Sequence, residues 1–223
     1  MSRTALALAL VIALAASASV HAEGKDIDKV NGAIVASAGE TYGSLDTVNG
    51  AIRIEDGVSA DSAETVNGSI TVGAKAQVGY LEAVNGGIRI GAEAAIGRYV
   101  ETVNGSITLA DGASIAGRAE TVNGGIRLDH AQVGAIKTVN GDIVVGNGSV
   151  VRGDIEIDQS HSWSLFSFGK PRVPKVVIGA NSKVEGEMVF KREVELWVHD
   201  SATVGKVTGA TARAYSGEQP PEE

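Results

Sequence analysis

The tripeptide Val-Asn-Gly occurs seven times in this chain at almost constant spacing. Its valines are Val30, Val48, Val66, Val84, Val103, Val122 and Val139, separated by 18, 18, 18, 19, 19 and 17 residues. A short period repeated this often is typical of a solenoid, in which one small unit is stacked many times and each unit covers the apolar side of the next. The spacing therefore predicts a repeat architecture before any secondary structure is assigned.

Apolar residues recur inside each repeat at two shorter intervals. Ile70 and Val72 alternate with polar residues, which is the period of a β-strand. Large aliphatic residues also recur every six positions, at Val66, Val72, Val78, Val84, Ile90 and Ile96. Three such segments make one turn, so we predict an all-β fold, a parallel three-sided β-solenoid (β-helix) with about 18 residues per coil. We expect Val66 and Ile70 both to point into its core.

A string of antiparallel hairpins is the alternative fold, because Asn-Gly is the strongest two-residue hairpin signal. In a hairpin that turns at Asn67-Gly68, Val66 would share a face with Glu64, and Ile70 would point the other way. The recurrent valine would then lie on a polar face in every repeat. The coil is favoured for that reason, with Asn-Gly at one of its corners, where both residues tolerate a positive φ.

The first 22 residues have the pattern of a cleaved secretory signal peptide. Arg3 is followed by an apolar run from Ala5 to Ala16, and Val20 and Ala22 supply small residues for cleavage. An uncleaved anchor is the alternative. We therefore expect an exported protein, in the periplasm, on the outer-membrane surface or outside the cell. We divide the rest into a β-solenoid domain at 23–214, with an insertion near 158–175, and a disordered acidic tail at 215–223.

Composition narrows the classes of function. The net charge of −8 opposes binding to nucleic acid, which needs a basic face. The absence of cysteine from the sequence excludes disulfides and thiolate metal sites. The histidines have no triad or metal-ligand spacing, so we predict no catalytic residues, no metal and no cofactor.

Two polar columns follow from the period. The first is a corner ladder of stacked amides at Asn31, Asn49, Asn67, Asn85, Asn104, Asn123 and Asn140. The second is acidic, at Asp28, Asp46, Glu64, Glu82, Glu101 and Glu120, and ends at Lys137. A bulge is expected to keep these acids outside, because burial of six unpaired carboxylates would be prohibitive. We interpret the acids as a solvated face, partly neutralised by Arg53, Arg89 and Arg127; a Ca²⁺ column is the alternative.

The insertion concentrates aromatic and basic residues. We predict that it binds a sugar, an anionic headgroup or a protein partner through Trp163, Phe166, Phe168, Lys170 and Arg172. A loop packed against the solenoid as a cover is the alternative.

The repeated Val-Asn-Gly-x-Ile corners resemble the exported β-strand-repeat proteins that are described as adhesins. The stretch from Val176 to Val204, which contains the Val-x-Gly-x-apolar corner at Val184, is similar to bactofilins, bacterial β-helices that form polymers. The resemblance covers most of residues 30–205 and implies a β-helix fold.

From these features we predict an exported, non-catalytic structural or adhesive β-solenoid of the bacterial cell envelope. It would bind an envelope polymer, such as a glycan, or a protein partner, or it would form a homo-oligomer by end-to-end stacking, because solenoid ends are open strand edges. A β-helix enzyme acting on polysaccharide is the alternative.

Overall fold

The structure is a computed structural model that describes residues 24–159 and 172–220. These residues form a parallel β-solenoid of about ten coils, roughly 18 residues apart, and contain no helix. The predicted fold class is confirmed. No helix among them is long and apolar enough to cross a membrane.

Each coil has three sides. Sides one and two are covered by single bent strands in six coils: β1 (Lys25–Asn31), β3 (Thr41–Asn49), β5 (Ser59–Asn67), β7 (Gln77–Asn85), β12 (Ser114–Thr121) and β14 (Gln132–Thr138). Elsewhere side one has β9 (Ala95–Ile96), β16 (Val150–Val151), β19 (Lys183–Val184) and β22 (Thr203–Val204). In those coils side two has β10 (Val100–Asn104), β17 (Ile155–Ile157), β20 (Met188–Phe190) and β23 (Val207–Thr208).

Side three is a separate sheet of ten short strands, one from each coil. They are β2 (Ile34–Ala36), β4 (Ile52–Ile54), β6 (Ile70–Val72), β8 (Ile88–Ile90), β11 (Ile107–Leu109), β13 (Ile126–Leu128), β15 (Ile143–Val145), β18 (Lys175–Ile178), β21 (Glu195–His199) and β24 (Ala212–Tyr215). They pair in this order, so each strand bonds to its equivalents in the coils before and after it.

Every strand pair of the described residues is parallel, and equivalent positions stand opposite each other. Asn49 pairs with Asn67, and Ile52 pairs with Ile70. The hairpin alternative is therefore wrong. An antiparallel ribbon would place residues of one repeat opposite each other, whereas here each residue stands over its counterpart in the next coil.

The core is a thin stack of aliphatic columns. On side three its fully buried members include Ile52, Ile70, Ile88, Ile107, Ile126 and Ile143. On side two they are Leu45, Ala63, Leu81, Val100, Ala119 and Ile136. The acids next to them point away from the core as expected, but from Asp46 to Glu120 they are half-buried on the outer surface. Each coil covers its neighbour's apolar residues, so burial depends on stacking.

The repeated valine, however, does not point into the core, and that expectation was wrong. Val30 is 65% exposed, and the six valines above it are half-buried on the outer surface. The strand period explains the error. Because Leu45 points inward, Thr47 two positions later also points inward, and Val48 must face out. The valines shield one another along their column, about 4.8 Å apart.

Positive φ values occur at a different corner from Asn-Gly. The left-handed residues between sides three and one are Gly39, Gly57, Lys75, Glu93, Gly112, His130, Gly148 and Asn181. Among the glycines of the seven Val-Asn-Gly tripeptides, only Gly32 has a positive φ, of 111°. Close approach of the coils explains the other glycines, because a Cβ on Gly86 would lie 1.8 Å from the carbonyl oxygen of Gly68. The expectation that positive φ explains this dipeptide was therefore wrong.

Candidate functional site

The Asn-Gly corner carries a continuous chain of side-chain hydrogen bonds. Each asparagine Nδ2 donates to Oδ1 of the asparagine in the preceding coil. The six distances, from Asn49–Asn31 to Asn140–Asn123, are 3.1, 2.9, 3.0, 2.9, 2.9 and 3.0 Å. The amides are exposed, so the ladder forms a straight ridge along the solenoid.

A column of threonines, which was not predicted from the sequence, supports this ridge from inside. Thr65 Oγ1 donates to the carbonyl oxygen of Gly50 at 2.9 Å, and Thr102 and Thr121 make the same bond to the glycine of the preceding coil. These bonds satisfy carbonyls at the turn and allow a hydroxyl to be buried. The signal in the sequence is the recurrence of Thr directly before Val-Asn-Gly, combined with the inward direction of Leu45.

Arg192 ends the ladder at its C-terminal side. Its Nη1 donates to Asn140 Oδ1 at 2.8 Å and to the carbonyl oxygen of Val139 at 3.2 Å. Its Nη2 donates to the carbonyl oxygen of Arg172 at 3.0 Å. One guanidinium therefore joins the last ladder amide to the point where the chain re-enters side three.

The predicted aromatic binding residues Trp163, Phe166 and Phe168, with Lys170, lie outside the described residues. Arg172 is described, and its exposed guanidinium pairs with Asp142. Asp142 Oδ1 also accepts from the backbone N–H of Lys175 at 2.9 Å. The re-entry point is thus fixed at the edge of side three, beside the end of the asparagine ladder.

The acidic column stands on the outside of side two with its members in register. Tyr80 donates to Glu64 at 2.6 Å, and Tyr99 donates to Glu82 at 2.7 Å. Arg118 pairs with Glu101 at 3.2 Å and with Glu120 at 2.7 Å. Tyrosine hydroxyls therefore hydrogen-bond to two acids in the middle of this column, and one arginine neutralises part of the charge of the next two.

The predicted neutralisation by Arg53, Arg89 and Arg127 was wrong. These arginines lie on side three, across the asparagine corner from the acids, and form none of the ion pairs found in residues 24–159 and 172–220. Arg98 instead stacks over Tyr80, with its guanidinium carbon 4.3 Å from the ring centre. Tyr80 and Tyr99 stack on each other at 5.1 Å.

Asp46 has an unusual environment near the N-terminal end of the acidic column. Burial, followed by repulsion from Glu64 and Asp28, raises its pKa to about 7. Its Oδ1 is buried and has no hydrogen-bond partner in the described part of the chain. Burial also raises the pKa values of Glu82 and Glu120. Burial therefore disfavours the charged form of these three acids, and repulsion from neighbouring acids adds to this effect.

Side three carries a strip of outward-facing residues that we name the arginine strip: Arg53, Thr71, Arg89, Thr108 and Arg127. Each stands directly opposite the next in the neighbouring coil. The three arginines are exposed and have no ion pair, hydrogen bond or ring contact within the described ranges. Their positive charge is therefore available to a ligand.

The floor beside the strip is made of small residues, and its C-terminal end forms a shallow cavity. Ala51, Ser69, Gly87, Ser106 and Gly125 precede the strip residues by two positions. The cavity has a volume of about 370 Å³ and is lined by Thr108, Arg127 and Val144, with Asp142 and Arg172 at its edge. The arrangement gives a trough between the strip and the asparagine ladder.

The remaining groups of chemical interest are dispersed. His130 contacts Asp129 at 3.0 Å, whereas His199 contacts Ser201 at 2.9 Å in a distant coil. Across the described ranges, no three side chains of His, Asp or Glu are grouped as metal ligands.

No family model, curated protein or solved structure matches this chain.

Proposed function

We propose that this protein is an exported, non-catalytic structural or adhesive module of the bacterial cell envelope that binds an extended partner along side three. The arginine strip supports this proposal most strongly. Three exposed guanidinium groups stand in one column and pair with no acid of residues 24–159 and 172–220, in a chain whose net charge is −8. Such cations are free to recognise carboxylate, sulfate or phosphate groups.

The rigidity of the solenoid also supports a binding role. The strip residues lie on strands bonded to the coils on both sides, so their separations are set by the backbone. A surface that is ordered before binding loses little conformational entropy on association. A long partner can then gain several weak contacts at once.

Export is supported by the pattern of residues 1–22. We expect mature protein to begin at Glu23 and to fractionate with the periplasm, the outer-membrane surface or the medium. N-terminal sequencing of the fractionated protein tests this. A cytoplasmic protein that retains Met1 would contradict it.

The aromatic insertion is a second proposed contact with the same partner. Its predicted binding residues precede Arg172, which is anchored at the end of the trough. A pull-down with envelope polymer should lose partner with Trp163→Ala and Phe166→Ala while the melting temperature stays unchanged. Unchanged binding with a lower melting temperature would instead support a packed cover.

Site-specific photo-crosslinking in cells tests the proposed surface. A photoreactive residue at Thr108, on side three, should capture an envelope component. The same residue at Asp61, exposed on β5 away from the strip, is the matched control. Equal capture from both positions would contradict a dedicated surface on side three.

Self-association is a second candidate, and the sheet edges favour it. The pairing orders begin at β1 and β2 and end at β22 and β24, so the terminal strands have partners on one side within the described chain. Open parallel edges can accept another copy. Sedimentation of purified protein over a concentration series should then show polymers, whereas a constant monomer mass would exclude this version.

A polysaccharide-cleaving enzyme is the alternative from another class. Such an enzyme would need carboxylates beside its bound glycan, but the acidic column and the arginine strip lie on different sides. Asp142 is at the trough, and it is occupied by Arg172 and the Lys175 amide. Glycan turnover that is lost in Asp142→Asn would support the enzyme.

A further inference from the structure

We infer that the partner of the arginine strip is a linear acidic polysaccharide that carries an anionic group on every second sugar. This inference rests on the proposed function and adds the chemistry of the ligand. It depends on the charge of the strip, on the spacing of its arginines and on the neutral surface beside them.

The three strip arginines carry positive charge and form no ion pair within the described ranges. The strip is part of a longer column of outward-facing residues, one from each side-three strand between β2 and β24. This column continues through Val35 at one end and Val144 at the other, and none of its residues is acidic.

Glu55 and Asp129 follow strip arginines by two positions, but neither forms an ion pair with them in the described ranges. Glu55 Oε2 accepts from the backbone N–H of Ala38 at 3.1 Å, Asp129 contacts His130 at 3.0 Å, and Asp142 pairs with Arg172.

The arginines alternate with threonines, so they recur at every second coil. Neighbouring strands lie about 4.8 Å apart, which places successive arginines about 9.6 Å apart along the axis. An extended chain of six-membered sugar rings advances by about one strand spacing per sugar. A carboxylate or sulfate on alternate sugars would therefore meet Arg53, Arg89 and Arg127 in turn, while the intervening sugars lie over Thr71 and Thr108.

The surface beside the strip suits neutral polar groups of a glycan. Each ladder amide uses one of its two N–H groups within the ladder, and the other is left for a ligand. The small residues that floor the trough allow a sugar ring to approach the backbone. Hydroxyl and acetamido groups can therefore bond to the ridge while the acids bond to the strip.

Nucleic acid fits this surface less well. Each strand of duplex DNA carries one phosphate per about 3.4 Å of helix axis, far more densely than the strip carries arginine. Proteins that bind single strands also stack bases on aromatic side chains, and the strip contains none. Single-stranded DNA is therefore included as a probe in the test below, where we expect it to bind more weakly than the acidic polysaccharide.

The test measures binding of four fluorescent probes to the full chain at low and physiological salt. The probes are hyaluronan oligosaccharides with one carboxylate per disaccharide, polygalacturonate with one per sugar, neutral chitin oligosaccharides, and single-stranded DNA. We expect hyaluronan to bind most tightly and to weaken as salt rises, because exposed charges are screened.

Variants assign the binding to the strip. Arg89→Gln should weaken hyaluronan binding about tenfold, since it removes the central charged contact. Arg89→Lys should recover part of the affinity, because it restores the charge but not the bidentate geometry. Arg152→Gln is the matched control; Arg152 is exposed and follows side-one strand β16, where it donates to Gln132. Its affinity should equal that of the parent.

Distinct results separate failure of the inference from failure of the proposed function. Tighter binding of chitin, polygalacturonate or DNA than of hyaluronan would overturn the sparse acidic ligand, and so would an unchanged affinity in Arg89→Gln. The proposed function would survive if Thr108 still crosslinks to an envelope component. No binding to any probe, together with no crosslink from Thr108, would overturn both.

Discussion

At the Asn-Gly corner, the two residues of each dipeptide have different roles. The asparagine side chain points outward and bonds along the ladder, whereas the glycine permits neighbouring coils to approach. The threonine two positions before the asparagine completes the corner from inside. These roles can be separated by single substitutions.

Because coils approach closely at these glycines, we expect the addition of one methyl group to lower the stability of the protein strongly. In Gly86→Ala the new Cβ would lie 1.8 Å from the backbone oxygen of Gly68, which cannot move without displacing a coil. We expect a loss of at least about 3 kcal/mol in the free energy of unfolding. Urea denaturation measures it. Gly97→Ala is the control, because its Cβ would have no neighbour closer than 3.9 Å, and equal losses would contradict the argument.

The ladder predicts an effect that depends on position. Asn85→Ala removes two amide bonds, to Asn67 and from Asn104, and should cost about 1 to 2 kcal/mol in the free energy of unfolding. Asn31→Ala removes only the bond from Asn49 within the described ladder and should cost about half as much. Urea midpoints compare the two. A larger loss in Asn31→Ala would show that the amides do not act as a ladder.

The raised pKa of Asp46 should make the stability of the protein depend on pH. Its folded pKa of about 7 lies above the unfolded value of 3.8, so the folded chain binds more protons between these limits and stability falls as pH rises through them. Because the group is only half-buried, we expect Asp46→Asn to stabilise the protein by about 1 kcal/mol above pH 7, after allowance for screening.

Thermal unfolding at pH 4 and pH 8 checks this expectation. The gain in melting temperature should be present at pH 8 and almost absent at pH 4. Asp61→Asn, exposed and outside the acidic column, is the control. The same gain at both pH values would mean that packing, not charge, causes it.

At the scale of the element, the C-terminal end of the ladder depends on one arginine. Arg192 contacts Val139, Asn140 and Arg172, so it joins side two, the corner and the start of β18. Strands at such junctions open more readily than strands inside a uniform stack. The contact therefore decides how firmly the chain is held where it re-enters side three.

Removal of this contact should have a local effect. We expect Arg192→Ala to raise amide hydrogen exchange in β18 about tenfold, while β4 and β6 keep their protection, because three hydrogen bonds near the junction are lost. Hydrogen-exchange mass spectrometry resolves these strands. Arg152→Ala serves as the control at an exposed site. A uniform rise along the whole solenoid would contradict a local junction.

At the scale of the whole molecule, the solenoid behaves as a linear array of coils. Equivalent residues stack in columns, so each coil depends mainly on its two neighbours. One complete coil can be removed without a change of register, whereas part of a coil cannot.

Deletion of residues 66–83 tests this property. The deletion removes one complete 18-residue coil and joins Thr65 to Val84, so the protein should keep its β-sheet circular dichroism and unfold cooperatively. Deletion of residues 66–74 removes half a coil and should abolish folding, because inward and outward columns no longer match. Equal behaviour of the two proteins would contradict a columnar stack.

Much of this architecture could be predicted from the sequence, because a repeat that must cover its neighbour leaves few ways to fold. The 18-residue period, the alternation around Ile70 and the polar columns were sufficient for the three-sided coil. The direction of the valines could not be predicted from hydropathy, because a β-branched residue stacked in an outer column is shielded by its own equivalents. The reason for glycine at the Asn-Gly corner could not be predicted either, since a close approach between coils and a positive φ both require glycine.

The spacing of Val-Asn-Gly is sufficient for the period, and hence for the alignment of equivalent residues in columns, because a regular strand stack has only one way to repeat. Which columns face each other, and which remain unpaired, depends on how the chain winds in three dimensions. Arg53 and Asp46 are close in sequence, but a corner of the coil separates their side chains. Arg118 and Glu101 are farther apart in sequence, but they lie in adjacent coils and form an ion pair. The free arginine strip is therefore a property of the wound chain, since coil geometry sets the distances between charges.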